Sequence, residues 1–308
     1  MNVTVSVVVT TFRHERFVEQ ALQSVLAQRT DFAFEVVVGV DAADDSTLAI
    51  VRGLERDHPS VLRVLAHSHR VGLFRNFSLT YAAARGQFIA LLEGDDYWCS
   101  PTKLATQIAL LRSDPRISLC GHATSRVDIS GRPVGRIPVG GYLASPRTSD
   151  FLERLCDFHT SSLCFPDPFS KRVPEVLLDE RTRAFDLGLK FVLASRGHIG
   201  YIDDELSAFR EVPGSASSDF DEKRVDWLRA MSLSLRLARP LVSRGHRGIL
   251  DHHVGRLELA VARDSTVQTS RRLAALARSA WASPAPLARA LVAASLRPRL
   301  KRRGTRTP

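Results

Sequence analysis

A chain of 308 residues, 44% hydrophobic and 25% charged, can bury one large core or two smaller ones and is too apolar to be disordered. Its formal charge of +10 is unevenly placed: residues 1–220 hold 24 Lys/Arg against 27 Asp/Glu, and residues 221–308 hold 19 against 6. This argues against a uniformly basic nucleic-acid binder and for an acidic catalytic body with a basic C-terminal part.

The first segment, VTVSVVVTTF (3–12), is β-branched and apolar throughout, as expected of a buried central strand. Residues 15–28 place Phe17, Ala21, Leu22, Val25 and Leu26 at helical spacing. A second apolar strand (34–41) runs into Asp41, and a helix follows at 45–58 with Asp45 or Ser46 as N-cap. A third strand (61–68), a third helix (73–86, closed by Gly86) and a fourth strand (87–96) complete the rhythm. Beyond Pro101 the pattern predicts a helix, then an antiparallel strand and turn at 117–134. A Gly/Pro-rich loop at 130–147, a helix at 149–157 and a strand at 197–211 come next. Residues 221–279 read as helical, and a short helix and a basic tail follow the break at WASPAP. The opening residues lack the layout of a secretion signal, and no run reaches the ~18 apolar residues of a membrane span. Cys99, Cys120, Cys156 and Cys164 lack C-x-x-C spacing and read as reduced thiols of a cytoplasmic protein.

Alternating strands and helices imply a mostly parallel α/β sheet, and such sheets bind ligands beyond the C-terminal strand ends. Three strands run into polar or charged residues there: Thr10 to His14, Asp41 to Asp45, and Glu93 to Asp96. Asp41 and its neighbours suit either helix capping or a hydrogen bond to a nucleotide base or ribose. Glu93, Asp95 and Asp96 end a strongly apolar strand, where a hard divalent cation bridging a diphosphate would compensate them. Between the acidic loops, Arg75 and Asn76 are candidates to face a phosphate. Walker and dinucleotide glycine motifs are missing from the sequence, as is a G-x-S-x-G elbow. Asp186 precedes an apolar helical run and reads as an N-cap or as a general base. His252 and His253 read as structural or solvent-facing.

Together these residues resemble the family-2 glycosyltransferases over roughly residues 3–215. The carriers are VSVVVTTFRHERFVEQALQSVLAQ, EVVVGVDAADDST, GQFIALLEGDDYWCSPTKLATQIALL, HTSSLCF and FDLGLKFVLASRGHIGYIDDELSAFRE. The resemblance implies the A-type nucleotide-sugar transferase fold, a Rossmann-like mostly parallel sheet flanked by helices. A catalytic domain over 1–220 and a helical basic extension over 221–308 are the expected division. It further implies a donor-nucleotide set of Thr10, Thr11, Phe12, Glu15, Asp41, Arg75, Asn76, Glu93 and Asp95. Asp95 and Asp96 would hold Mn²⁺ or Mg²⁺, Trp98, Thr160 and Ser161 would line the acceptor side, and Asp186 would be the base of an inverting transfer. Glu93 stands where the family usually has Asp, Val40 where a second acid is frequent, Arg70 where Asn is frequent, and Val212 where a histidine is usual.

The expected function is therefore metal-dependent transfer of a sugar from a nucleotide-diphosphate sugar to an acceptor hydroxyl, on a glycan or lipid-linked acceptor in cell-surface polysaccharide or glycolipid assembly. Glu93 and Val212 leave open a member that binds sugar nucleotide or glycan without turnover. A nucleotidyltransferase would favour a glycine-bearing phosphate loop after the first strand, and TTFRHERF has no glycine. In the tail, Arg297, Arg299, Lys301, Arg302, Arg303 and Arg306 follow Leu287, Leu291 and Leu296. They read either as a solvated terminus or as a peripheral anchor on an anionic inner leaflet. No nucleic-acid partner is expected.

Overall fold

The computed structural model describes residues 3–282 except 43, 139, 141, 143–145 and 214–222. The basic tail of the preceding section lies outside the described residues.

All seven residues of β1 (Val5–Thr11) are buried, as a central parallel strand requires. The chain then alternates α1 (Val18–Leu26), β2 (Phe34–Val40), α2 (Thr47–Asp57), β3 (Leu62–Ala66), α3 (Leu73–Ala82) and β4 (Phe88–Glu93). The four strands are parallel in the order β3-β2-β1-β4. In their register Thr10 lies beside Gly39 and Glu93, and Thr11 beside Val40. Three strand ends therefore meet at one edge, which is where the acids follow.

The second half adds β5 (Tyr97–Trp98), α4 (Lys103–Ser113), β6 (Ile117–Val127), β7 (Pro133–Ile137), α5 (Thr148–Glu153) and β8 (Cys164–Pro166). It continues through α6 (Phe185–Ala194), β9 (His198–Arg210), α7 (Arg224–Ala238), α8 (Arg247–Arg263) and α9 (Thr269–Ala282). The sheet extends past β4 as β8-β6-β9-β5, with β7 on β6. Among the described residues no helix is long and apolar enough to cross a membrane.

Alternation along the strands divides the core. Val5, Val7 and Val9 face one side with Leu22 of α1, Val51 of α2 and Leu104 of α4. Val8, Ile89 and Leu91 face the other, with Phe77 and Tyr81 of α3 and residues of α5 to α8. Each buried Val or Leu contributes about 1.5–3 kcal/mol, and against that background the sheet can hold carboxylates close together at its edge. The C-terminal helices share this second core: Ser234 Oγ donates to Ala184 O at 2.9 Å, and buried His253 bonds Leu152 O at 2.9 Å.

Four details depart from the sequence reading. β6 is antiparallel to β7 and β8 but parallel to β9, because the long crossover through α5 and α6 returns the chain in the same direction. The expected loop 130–147 contains β7, with Pro133 at the start of an edge strand, where a missing N–H is tolerated. HTSSLCF, which by resemblance would be the strand lining the acceptor side, is a 3₁₀ turn (Thr160–Ser162) leading into the short β8. Gly86 does not close α3, which ends at Ala82; a Cβ there would sit 2.4 Å from the Ser6 amide, so close approach to β1 is what requires glycine.

Candidate active site

The loops after β1 and β2 are stitched into one wall. The His14 amide donates to Thr47 Oγ1 at 2.9 Å, the Glu15 amide to Asp45 Oδ2 at 3.2 Å, and the Ser46 amide to Glu15 Oε2 at 2.9 Å. Asp45 also accepts from the Thr47 amide, as a residue capping α2 would. Phe12 lies under two guanidinium groups, Arg70 at 4.4 Å and Arg13 at 5.3 Å from its ring centre. Asp41 is 2% exposed, and its carboxylate accepts from the amides of Ala42, Val71 and Gly72 at 3.1, 2.7 and 3.0 Å. It thus holds the β3–α3 loop in place, with about one of its four acceptor positions left. Asn76 is buried and committed to its own framework: Nδ2 donates to Gly39 O at 2.9 Å, and Oδ1 faces His67 Nε2 at 3.0 Å. Its neighbour Arg75 points to solvent.

Beside this wall stand the three acids. Gly94 bonds to Thr10 O, and a Cβ on it would approach Thr11 Oγ1 to 2.7 Å and His14 Nδ1 to 2.8 Å, so only glycine lets β4 turn here. Asp95 Oδ2 lies 3.7 Å from His14 Nε2. Asp96 is buried; its Oδ1 accepts from the Arg210 amide at 2.9 Å. The Arg210 side chain donates to Asp95 O at 3.1 Å and Gln20 Oε1 at 2.7 Å. Burial, then repulsion by Asp95 and Asp186, pushes Glu93 up to about 8. Burial, then Asp95 and Glu93, pushes Asp96 well above the ordinary carboxylate range. Arg210 and Lys190 therefore leave the trio incompletely compensated.

Near enough to repel Glu93, Asp186 lies in the first turn of α6, with its side chain 32% exposed and Oδ2 2.9 Å from Lys190 Nζ. Burial pushes its carboxyl up, but the attraction and hydrogen bond of Lys190 outweigh this and hold it below its ordinary value. Lys190 also donates to Phe158 O at 3.0 Å. His159 stacks on Phe209 at 4.4 Å and lies 3.7 Å from Asp96 Oδ2. Burial and then Lys190 push its ring down to about 3, so it is neutral near pH 7 and forms no ion pair. Thr160 and Ser161 are buried behind it, with Ser161 Oγ 2.9 Å from Ser207 Oγ. Trp98 is core: its Nε1 donates to Ser161 O at 3.2 Å and Lys103 Nζ sits 3.9 Å over its ring.

Thr10, Thr11, Asp41, Glu93, Asp95 and Asp96 thus gather at one edge with Asp186 opposite, while Asn76, Trp98 and Ser161 are packed into the frame. Sequence reasoning placed His14 at the polar end of the first strand without a role, and passed over His159, Lys190 and Arg210. Only Lys190 carried a local signal, four residues after Asp186 on one helix face.

Among the described residues no three His, Cys, Asp or Glu side chains form a metal cluster. A cation held by one or two carboxylates and completed by substrate phosphates and water needs no such cluster. Glu93 Oε2, Thr11 Oγ1 and His14 Nδ1 are buried here without hydrogen-bond partners. Under-compensated acids beside unpaired polar atoms fit a divalent ion with a diphosphate.

Comparison with known proteins bears on the family and the fold. A model described as glycosyl transferase family 2 matches residues 6–168. The GalNAc(5)-diNAcBac-PP-undecaprenol β-1,3-glucosyltransferase of Campylobacter jejuni is 30% identical over 92 residues, 30% of this chain and 29% of that protein. Uncharacterized mycobacterial proteins are 36% identical over 117 residues; the chain spans 34% of their length. Among solved structures, S. aureus TarS 1–349 in complex with UDP superposes with a TM-score of 0.62 at 19% identity, covering 92% of this chain and 82% of that one. A mannosyltransferase from Pyrobaculum calidifontis in complex with GDP-Man and Mn²⁺ gives 0.59 at 20% identity, covering 96% and 81%.

Proposed function

The chain belongs to glycosyl transferase family 2 and has the A-type fold, and on that premise we propose that it is an inverting, metal-dependent transferase. It moves a sugar from a nucleotide-diphosphate sugar to a hydroxyl of a glycan or lipid-linked acceptor in cell-surface polysaccharide or glycolipid assembly. The observation that carries this reading is the contrast between two differently tuned acid sites: carboxylates crowded at the end of β4, and Asp186, near enough to repel Glu93 but with its own cation.

The nucleotide lies along the wall formed by Thr10, Thr11, Phe12, Glu15 and Asp41, with Arg75 at its solvent side and Asn76 supporting Gly39 beneath. Asp95, with Glu93 and Asp96 beside it, would hold Mn²⁺ or Mg²⁺, which when bound neutralises the departing diphosphate. Asp186 takes the proton from the acceptor hydroxyl as that oxygen attacks the anomeric carbon. The carbon–phosphate-oxygen bond breaks, its electron pair leaves with the nucleoside diphosphate, and configuration inverts. Lys190 keeps Asp186 in the basic form. Trp98, Thr160 and Ser161 back the acceptor side, setting the position of His159.

The membrane-side reading is supported by the outer surface of α9. Leu273 and Trp281 are 62% and 75% exposed there, shortly before the basic segment. Such a surface suits a peripheral position on the cytoplasmic face of an anionic membrane. Flotation with anionic liposomes should lose the protein when residues 285–308 are deleted; equal partitioning rejects the anchor.

The principal test is thermal stability against nucleoside diphosphates and their sugars, with Mn²⁺, Mg²⁺ or EDTA. A metal-dependent shift with one nucleotide is expected, and ligand at 100 times Kd gives about 2.7 kcal/mol. Sugar transfer with that donor then completes the case. No shift with any nucleotide overturns the donor site.

A further inference from the structure

A second site lies just before the candidate base in sequence and beside it in the fold. A pocket of about 540 Å³ is lined by Arg181, Arg183, Arg229, Arg236 and Arg278, from the 3₁₀ turn Glu180–Thr182 and its end, from α7 and from α9. Two carboxylates share it, each tied to an arginine: Asp226 lies 3.7 Å from Arg229, and buried Glu258 lies 2.9 Å from Arg278 while accepting from Ser232 Oγ at 2.6 Å. Arg181 pairs with Asp179 at 2.9 Å, and Arg183 lies over the Trp227 ring at 4.9 Å. Arg236 keeps a buried Nε without a hydrogen-bond partner. Five arginines and two carboxylates thus line the wall, the arginines coming from three elements that converge.

The pocket is fixed relative to Asp186. Ser234 of α7 accepts from the Gly188 amide at 3.2 Å and donates to Ala184 O at 2.9 Å, locking α7 against the start of α6. Arg183 precedes Asp186 by three residues. Planar guanidinium forks from several directions match phosphate oxygens bidentately. Trp281, one turn beyond Arg278 on the same side of α9, is 75% exposed and offers an apolar surface next to the charged one.

We propose that this arginine pocket binds the phosphate or diphosphate of an amphiphilic, lipid-linked acceptor and so presents its sugar hydroxyl to Asp186. The assignment rests on the transferase reading above, but its binding step is measured without turnover.

The probes are farnesyl diphosphate, inorganic pyrophosphate and farnesol, titrated calorimetrically into the full chain in EDTA, so that metal-dependent diphosphate binding at the Asp95 acids does not contribute. Farnesyl diphosphate should bind, and farnesol should not. Arg183→Gln and Arg236→Gln should each weaken it about ten- to hundredfold, the loss expected for a charge-assisted hydrogen bond. Arg229→Gln, at a partly exposed position on α7, should weaken it in the same direction and serves should Arg236→Gln misfold. Unchanged affinity in all three variants, or binding of pyrophosphate without farnesyl diphosphate, overturns the proposal; the latter marks a free-anion site. Metal-dependent nucleotide binding is measured on the same variants. Arginine-dependent farnesyl diphosphate binding in a chain that takes no nucleotide upholds the pocket and rejects the transferase reading. Nucleotide binding with no lipid diphosphate binding does the reverse.

Discussion

Two acidic regions face each other across this site, and they are built oppositely. Glu93, Asp95 and Asp96 crowd at a strand end where burial and mutual repulsion raise Glu93 and Asp96. Asp186 has a lysine 2.9 Å away and is held low. A carboxylate with its own cation is stable as a base in the empty protein. A group of buried carboxylates short of a cation holds on to protons until a cation offsets its charge. The difference is the one the proposed roles require: a base for the acceptor on one side and a receiver of a metal–diphosphate on the other.

The largest effect should come from the proposed base. Asp186→Asn is expected to lower kcat by ~10²–10⁴-fold, with donor affinity within about twofold of wild type by calorimetry. Wild-type turnover in this variant would remove Asp186 from the role and leave the comparison with one functional side.

Next comes the charge on the donor side. Asp95 contributes repulsion to both Glu93 and Asp96. Asp95→Asn should therefore abolish the metal-dependent part of nucleotide stabilisation, about 2.7 kcal/mol at 100 times Kd. In EDTA the same variant should melt no lower than wild type, because a like charge has been removed. A wild-type metal-dependent shift in the variant would show that the cation is held elsewhere.

These expectations also show how much of the molecule was legible. The strands β1 to β4 and the acids after them could be read because fully buried parallel strands are continuous apolar runs that stop abruptly at polar residues. β7 could not, since Pro133 and Gly135 mimic a loop and only pairing with β6 makes it a strand. Arg210 touches Asp96 across 114 residues of sequence, and no local pattern records such a contact. The catalytic reading of Asp186 came from resemblance, since its residues alone left an N-cap equally open; in the fold it lies inside the first turn, not at the cap.

Asn76 illustrates the limit differently. Its chemistry suits a phosphate, yet its amide joins α3 to β2 through Gly39 O. Asn76→Ala should cost about 1–3 kcal/mol in stability, the penalty for an unsatisfied buried group, with nucleotide affinity unchanged within about twofold. Loss of nucleotide affinity at wild-type stability would instead put Asn76 on the donor and enlarge the receiving side of the comparison.

The finest test acts on the compensated side alone. The groups facing Asp186 are Lys190 on its own helix, His159, Cys156, and Glu93 of β4. His159, pushed down to about 3, carries no charge near neutrality, so Lys190 is the cation that lowers Asp186. A base with a lowered pKa is competent above that pKa, and activity falls as pH drops through it. Removing Lys190 leaves burial pushing the other way, so the acid limb of kcat/KM must move to higher pH. Lys190→Met should move that limb to higher pH, with activity lost below the new limb and recovered above it. Lys190→Arg should keep the limb low. A uniform loss at every pH would mean that Lys190 holds α6 against Phe158 O and leaves the charge of Asp186 to other groups.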